Sequence, residues 1–215
     1  GYCFSQKGKK DTEQPKENYV DQKILRYEDW TYSPNIKSVQ LFREDWQYTT
    51  PVIKLDSPEK LKLSFDDLDA DVKNYSYIVI HCNANWEPSS ILSSDYIDGF
   101  FEDNFNDYKY SFNTVQRYTH WSLEIPNDNM KLTKSGNYIL KVYKDFSQDS
   151  LVLTRRFMMY DPRVGIETNF HKPSVVSVSD YKQEIDFTLY TGNYVISNPY
   201  GDLKVIITQN DRWDN

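Results

Sequence analysis

Cysteine is nearly missing from this 215-residue chain: Cys3 and Cys82 are the only two, which excludes a disulfide framework. One bridge between them, or two free thiols, are the alternatives left. Glycine is scarce at seven residues. The sequence holds no glycine-rich phosphate loop and no Gly-x-Ser-x-Gly elbow for acyl transfer. No apolar run approaches the ~20 residues needed to cross a bilayer as a helix. The first residues lack the charged-then-apolar pattern of a signal peptide, and bulky Tyr2 before Cys3 argues against a lipid anchor. Positive charge is also short, with 25 Lys and Arg against 32 Asp and Glu and a net charge of −7. Duplex nucleic acid, which needs a basic face, and anionic lipid headgroups are therefore poor partners.

What the chain has instead is aromatic side chains: 18 Tyr, 11 Phe and 5 Trp within an apolar fraction of 39%. Aromatics supply large contact areas and favour strands. Residues 1–26, rich in Lys, Glu, Asp and Gln, read as a flexible leader. Order is expected from Tyr27 onward, as short alternating runs separated by turn residues at sandwich spacing. The clearest runs are Ile36 to Phe42, Leu61 to Phe65, Tyr75 to Cys82, Tyr118 to Ile125, Tyr138 to Tyr143 and Leu151 to Met159. In the third run Ile78, Ile80 and Cys82 share one face and Tyr77, Val79 and His81 the other, which implies a central strand covered on both sides. A short helix is expected around Ser90 to Tyr96.

Asp161-Pro162 marks a break. Beyond it, Gly165 to His171, Glu184 to Tyr190 and Leu203 to Thr208 read as three strands, with a hairpin turn at Asn198 to Asp202. The expectation is an all-β chain. An immunoglobulin-like β-sandwich domain spans residues 27–161, and a second, truncated β-sandwich spans 162–215. The apolar faces and open edges of that second unit predict self-association through residues after Asp161.

Few constellations suggest chemistry. Asp67, Asp69 and Asp71 alternate as calcium ligands do, but an EF-hand loop would need Gly at Val72 and Glu at Ile78. The expectation for Asp66 to Asp71 is a solvated turn. Glu102 to Asp107, interleaved with Phe101, Phe105 and Tyr108, reads as an exposed loop with aromatic anchors. His81 and Cys82 are neighbours on a strand and point to opposite faces, so they cannot complete a zinc set with His120. His171 stands alone in the sequence. Neither a catalytic residue, a cofactor nor a metal is expected. Trp86, Phe112, Tyr118 and Trp121 are candidates for an exposed aromatic binding patch, set against their commoner role in packing. Trp86, which follows a central strand and precedes Pro88, is expected as a structural anchor. Arg155 and Arg156 fall on opposite faces of a late strand. One of them is expected to form a structural ion pair with an acid from Asp66 to Asp71, or with Asp95 or Asp98.

Several blocks in order carry more information than any one of them. Ser64-Phe65-Asp66-Asp67-Leu68 is followed by His81-Cys82-Asn83-Ala84-Asn85-Trp86, then Asp98-Gly99-Phe100 and Ser111-Phe112-Asn113-Thr114. Tyr118-Thr119-His120-Trp121, Ile125-Pro126-Asn127, Ser135-Gly136-Asn137-Tyr138 and Thr154-Arg155-Arg156-Phe157 complete the series. Together they resemble the first domain of the plug proteins of the bacterial type IX secretion system, from about Ile36 to Met159. A weaker continuation runs to Trp213. The resemblance implies a non-enzymatic protein exported to the periplasm by a signal peptide that this chain does not include. There, at the inner face of the outer membrane, it would close the very large translocon barrel when no substrate is in transit. It also implies that the chain is the N-terminal part of a longer protein.

A second function belongs to another class: a carbohydrate-binding β-sandwich of a surface nutrient-uptake system, with Trp86 or Trp121 stacked on sugar rings. Such a platform needs two coplanar exposed rings, whereas a plug needs a broad protein-sized surface.

Overall fold

The computed structural model describes residues 24–175, 177 and 180–208. Residues 1–23 of the leader expected over 1–26, Cys3 among them, and the segment 209–215 lie outside the described residues. The first strands are β1 (Trp30–Thr31), β2 (Ile36–Arg43), β3 (Val52–Lys54), β4 (Leu61–Asp67) and β5 (Tyr75–Cys82). A one-turn helix α1 (Ser93–Tyr96) leads into β6 (Ile97–Gly99), β7 (Glu102–Asn104), β8 (Asp107–Tyr110) and β9 (Thr119–Ile125). Then come β10 (Met130–Leu132), β11 (Gly136–Lys144), β12 (Ser147–Tyr160), β13 (Gly165–His171), β14 (Glu184–Tyr190) and a helical turn α2 (Pro199–Asp202).

The fold is all-β. A six-stranded sheet has the order β1-β12-β11-β5-β7, with β3 added in parallel beside β12. A four-stranded antiparallel sheet has the order β2-β4-β9-β8. Side-chain alternation decides what lies between them. Leu61, Leu63 and Phe65 of β4 and Trp121, Leu123 and Ile125 of β9 share one core cluster with Tyr75, Tyr77 and Val79 of β5. Tyr138, Leu140 and Val142 of β11 and Leu153 and Phe157 of β12 complete it. The opposite face of the four-stranded sheet carries Lys62, Ser64, Asp66, His120, Ser122 and Glu124, the polar half of the same alternation.

The middle of this core is aromatic. Phe65 meets Tyr75 edge-on at 5.2 Å, Tyr75 meets Trp121 at 5.2 Å, and Phe105 packs on Phe65 at 5.5 Å. Each such edge-to-face pair adds about 0.5–1.5 kcal/mol beyond the area it buries. Phe105 is therefore an anchor, as the sequence suggested, but the acids before it are in a strand: β7 pairs with β5.

The outer face of the six-stranded sheet has its own small core, formed by Cys82, Trp86 and Ile139 with Tyr27, Ile80 and Met158. The expected two-sided burial of β5 follows from it. Cys82 is a free thiol there, pushed up to about 11 by burial, so it is protonated and inert.

The Asp66 to Asp71 segment is only in part the solvated turn expected: Asp69 and Asp71 are exposed beyond the strand, whereas Asp66 and Asp67 belong to β4. Asp67 ends β4 fully buried. It accepts hydrogen bonds from Asn35 Nδ2 (2.6 Å), the Asp69 amide (3.1 Å) and Tyr75 Oη (2.8 Å), and Lys73 Nζ lies 2.8 Å away. A buried carboxylate is tolerable only with such a full set of partners.

After Pro162 two of the three expected strands form, with the expected bounds, and the third does not. β13 and β14 pair in register from Gly165 with Tyr190 to His171 with Glu184. Leu203 to Thr208 forms no strand, and Asn198 to Asp202 is a helical turn with Pro199 at its start instead of a hairpin turn. A strand needs a neighbour to satisfy its amides, and none of the described elements supplies one there. Ile166, Phe170 and Phe187 of the hairpin share one face, exposed by 65%, 62% and 43%.

Candidate partner interface

Two of the four aromatics taken as an exposed patch are core residues. Trp121 is 1% exposed and Trp86 is 5% exposed. Trp121 lies on β9 among inward-facing residues, and Trp86 closes the outer-face cluster. Neither ring is exposed enough to stack on a sugar, so the two form no sugar platform. The anchor role foreseen for Trp86 fits its burial.

Trp86 is held in an unusual way. Its backbone has φ of +64°, a region most side chains avoid. Asn83 sets up the turn: its side-chain oxygen accepts from the amides of Asn85 (2.8 Å) and Glu87 (3.1 Å), and its carbonyl accepts from the Trp86 amide. The turn turns the indole back onto the sheet, where the Arg156 guanidinium lies 4.5 Å from the ring centroid.

That contact explains where the arginines go. The expected ion pair with the Asp66 to Asp71 turn, Asp95 or Asp98 does not form. Arg155 donates to the Trp30 carbonyl at 2.9 Å and to Thr31 Oγ1 at 3.3 Å. Arg156 donates through Nε to the Tyr27 carbonyl at 2.8 Å, and its amide donates to Asp29 Oδ1 at 2.6 Å. Thr154 Oγ1 reaches the Glu28 carbonyl at 2.7 Å. Three consecutive residues of β12 thus clasp the incoming segment Tyr27 to Thr31. Carbonyl partners replaced the expected carboxylates because that segment, bent at Tyr27 to Asp29, turns backbone acceptors toward β12. Burial lowers both guanidinium pKa values and the Asp29 charge opposes it.

Phe112 and Tyr118 belong to one loop. Ser111 and Tyr118 clamp the β8–β9 loop, amide to carbonyl at 2.9 Å and Tyr118 amide to Ser111 Oγ at 3.0 Å. Phe112, 92% exposed, projects from the loop, Val115 is likewise exposed, and Tyr118 is half-buried at its base. β8 itself is exposed at every residue and ends its sheet, so its outer edge has no partner strand among the described residues. Tyr108 packs on Trp121 at 4.9 Å and Tyr110 on Tyr108 at 5.7 Å, a ladder from the core to the surface. Tyr110 was missed in the sequence. Its alternation with Tyr108 was the available signal, obscured by the acidic residues around them.

Lys109 and Arg117 add positive charge beside these rings on a protein of net charge −7. An open strand edge with exposed aromatics and basic neighbours suits a protein partner.

The metal candidates separate. His81 faces Ser89 Oγ at 2.8 Å, and burial holds its pKa below the ordinary value. His120 lies 2.7 Å from Asp66 on the other sheet. Among the described residues, His81, Cys82 and His120 form no common ligand group. His171 is not alone, because Asp186 and Glu184 lie beside it.

Residues 36–161 match the type 9 secretion system plug protein 1st domain. The chain belongs to that family. A solved structure of a hypothetical protein from Parabacteroides merdae is similar to this plug-family chain, with a TM-score of 0.75 and 27% identity over 82% of it. The plug-family chain spans 44% of that protein's length. An alkylpurine DNA glycosylase from Pseudomonas fluorescens, bound to DNA containing an abasic site analog, gives a TM-score of 0.30 at 9% identity over 58% of this chain and 30% of that one, and carries no argument. Curated protein sequences gave no match. No helix among the described residues is long and apolar enough to cross a membrane.

Proposed function

We propose that this plug-family chain is a non-enzymatic periplasmic interaction module. It binds the outer-membrane translocon barrel of type IX secretion at the inner face of the outer membrane and closes the pore between substrates. Membership of the plug family over residues 36–161 is the observation that carries this reading. The exposed edge of β8 and the Phe112 loop are part of the surface that meets the barrel. Their broad aromatic and basic character fits an extended protein partner better than a small ligand.

The experiment is recovery of partners from detergent-solubilised outer membranes with this chain as bait. A very large barrel protein is expected. Recovery of glycan alone, with no barrel, would overturn the reading.

A further inference from the structure

The β13–β14 hairpin gathers three ligand-type side chains that the plug reading does not use. His171 and Glu184 are directly opposite in the strand register, and Asp186 lies two residues further along β14. The twofold alternation of a strand therefore puts all three on one face. Their nearest ligand atoms lie within 4.8 Å of one another.

The histidine is oriented from outside the group. Its Nδ1 lies 2.8 Å from the Lys172 carbonyl oxygen. A carbonyl can only accept, so Nδ1 carries the hydrogen and Nε2 of the neutral ring presents its lone pair. That lone pair points at Asp186 Oδ2, 2.8 Å away. Two acceptors at this distance require a positive charge between them, either a second proton on the ring or a metal ion. Glu184 is oriented as well: one carboxylate oxygen accepts the Ser174 amide at 2.5 Å, and the other has no hydrogen-bond partner among the described residues. Backbone groups that fix the imidazole tautomer and the carboxylate are the usual outer shell of a metal ligand set.

We propose that His171, Glu184 and Asp186 form a binding site for a divalent transition-metal ion. One imidazole and two carboxylates are a borderline set that suits zinc, whereas calcium and magnesium prefer oxygen alone. Ligand atoms of a tetrahedral zinc ion with bonds of ~2.1 Å lie ~3.4 Å apart, so the widest separation in the group must close by up to ~1.4 Å. Asp186, 65% exposed at its side chain, is free to make that movement. The ion would bridge β13 to β14 and leave a coordination position for water.

Titration of the whole chain, first freed of metal by chelator, with zinc chloride at neutral pH tests this site, with calcium chloride in parallel. One equivalent of zinc should bind, and calcium should not compete. His171→Ala and Asp186→Asn should each weaken binding at least about tenfold, as loss of a ligand or its support commonly does. The side chains of His171 and Asp186 are 34% and 65% exposed and neither belongs to a core cluster, so circular dichroism should confirm an unchanged fold. His120→Gln, which removes the other histidine–carboxylate pair, should bind zinc as the unaltered chain does. Absence of zinc binding, undiminished binding in His171→Ala, or loss of binding in His120→Gln would each overturn the proposal.

Discussion

The guanidinium of Arg156 lies 4.5 Å over the ring of Trp86. This contact joins a loop residue with left-handed backbone to the strand that binds the segment Tyr27 to Thr31. The indole covers the outer face of β5 and β11, while Arg156 holds the Tyr27 carbonyl through Nε. One pair of side chains thus closes the second core and fixes the chain's entry to it.

Trp86→Ala should destabilise the protein by about 3–5 kcal/mol, the range for buried aromatics. Arg156→Ala should cost less, about 1–2 kcal/mol, because it loses a desolvated cation–π contact and one carbonyl bond. Urea unfolding of both variants checks the order. An unchanged midpoint for Trp86→Ala would show that the ring is not an anchor.

Asp67→Asn should cost about 2–4 kcal/mol, because it leaves Lys73 without its buried partner. The acid dependence has a definite sign. Burial pushes the Asp67 pKa up, but bonds from Lys73, the Asp69 amide, Tyr75 and Asn35 outweigh it and leave it below the ordinary value. A carboxyl depressed in the folded state stabilises the protein above its unfolded pKa of about 3.9, and that stability fades as pH falls through the folded value. Thermal melts between pH 7 and pH 2 should show a steeper acid loss in the unaltered protein than in Asp67→Asn.

Phe112→Ala and Tyr110→Ala should leave the melting temperature within about 1–2 °C, since both rings face solvent and such changes stay near 0.5 kcal/mol. Their combination should reduce barrel recovery from solubilised outer membranes severalfold if the β8 edge is part of the interface. Equal recovery would move the interface to another face of the sandwich while leaving the plug reading intact.

Division at Asp161-Pro162 predicts proteolytic cleavage between Asp161 and Val164, with residues 27–160 surviving as a resistant fragment. The apolar face of the hairpin predicts concentration-dependent association that Phe170→Glu abolishes, measured by sedimentation. A chain that resists as one monomeric unit would count against both expectations.

The β-sandwich was legible from residue order alone. Alternating apolar residues placed Tyr75–Cys82 as a strand with both faces covered, because period-two patterning is local and survives any register. The ordered blocks from Ser64 to Phe157 likewise announced the plug family, since they need only chain order. The tertiary structure decided partners across the chain. Asp67 looked solvated because Asn35, Lys73 and Tyr75, which satisfy it, are brought to it by chain reversals that no spacing encodes. Trp86 and Trp121 could not be told from surface rings, because burial depends on what the opposite sheet supplies. Leu203 to Thr208 had a strand's composition, yet a strand's hydrogen bonds belong to two segments at once. His171 gained Asp186 and Glu184 only when β14 settled beside β13 in one particular register.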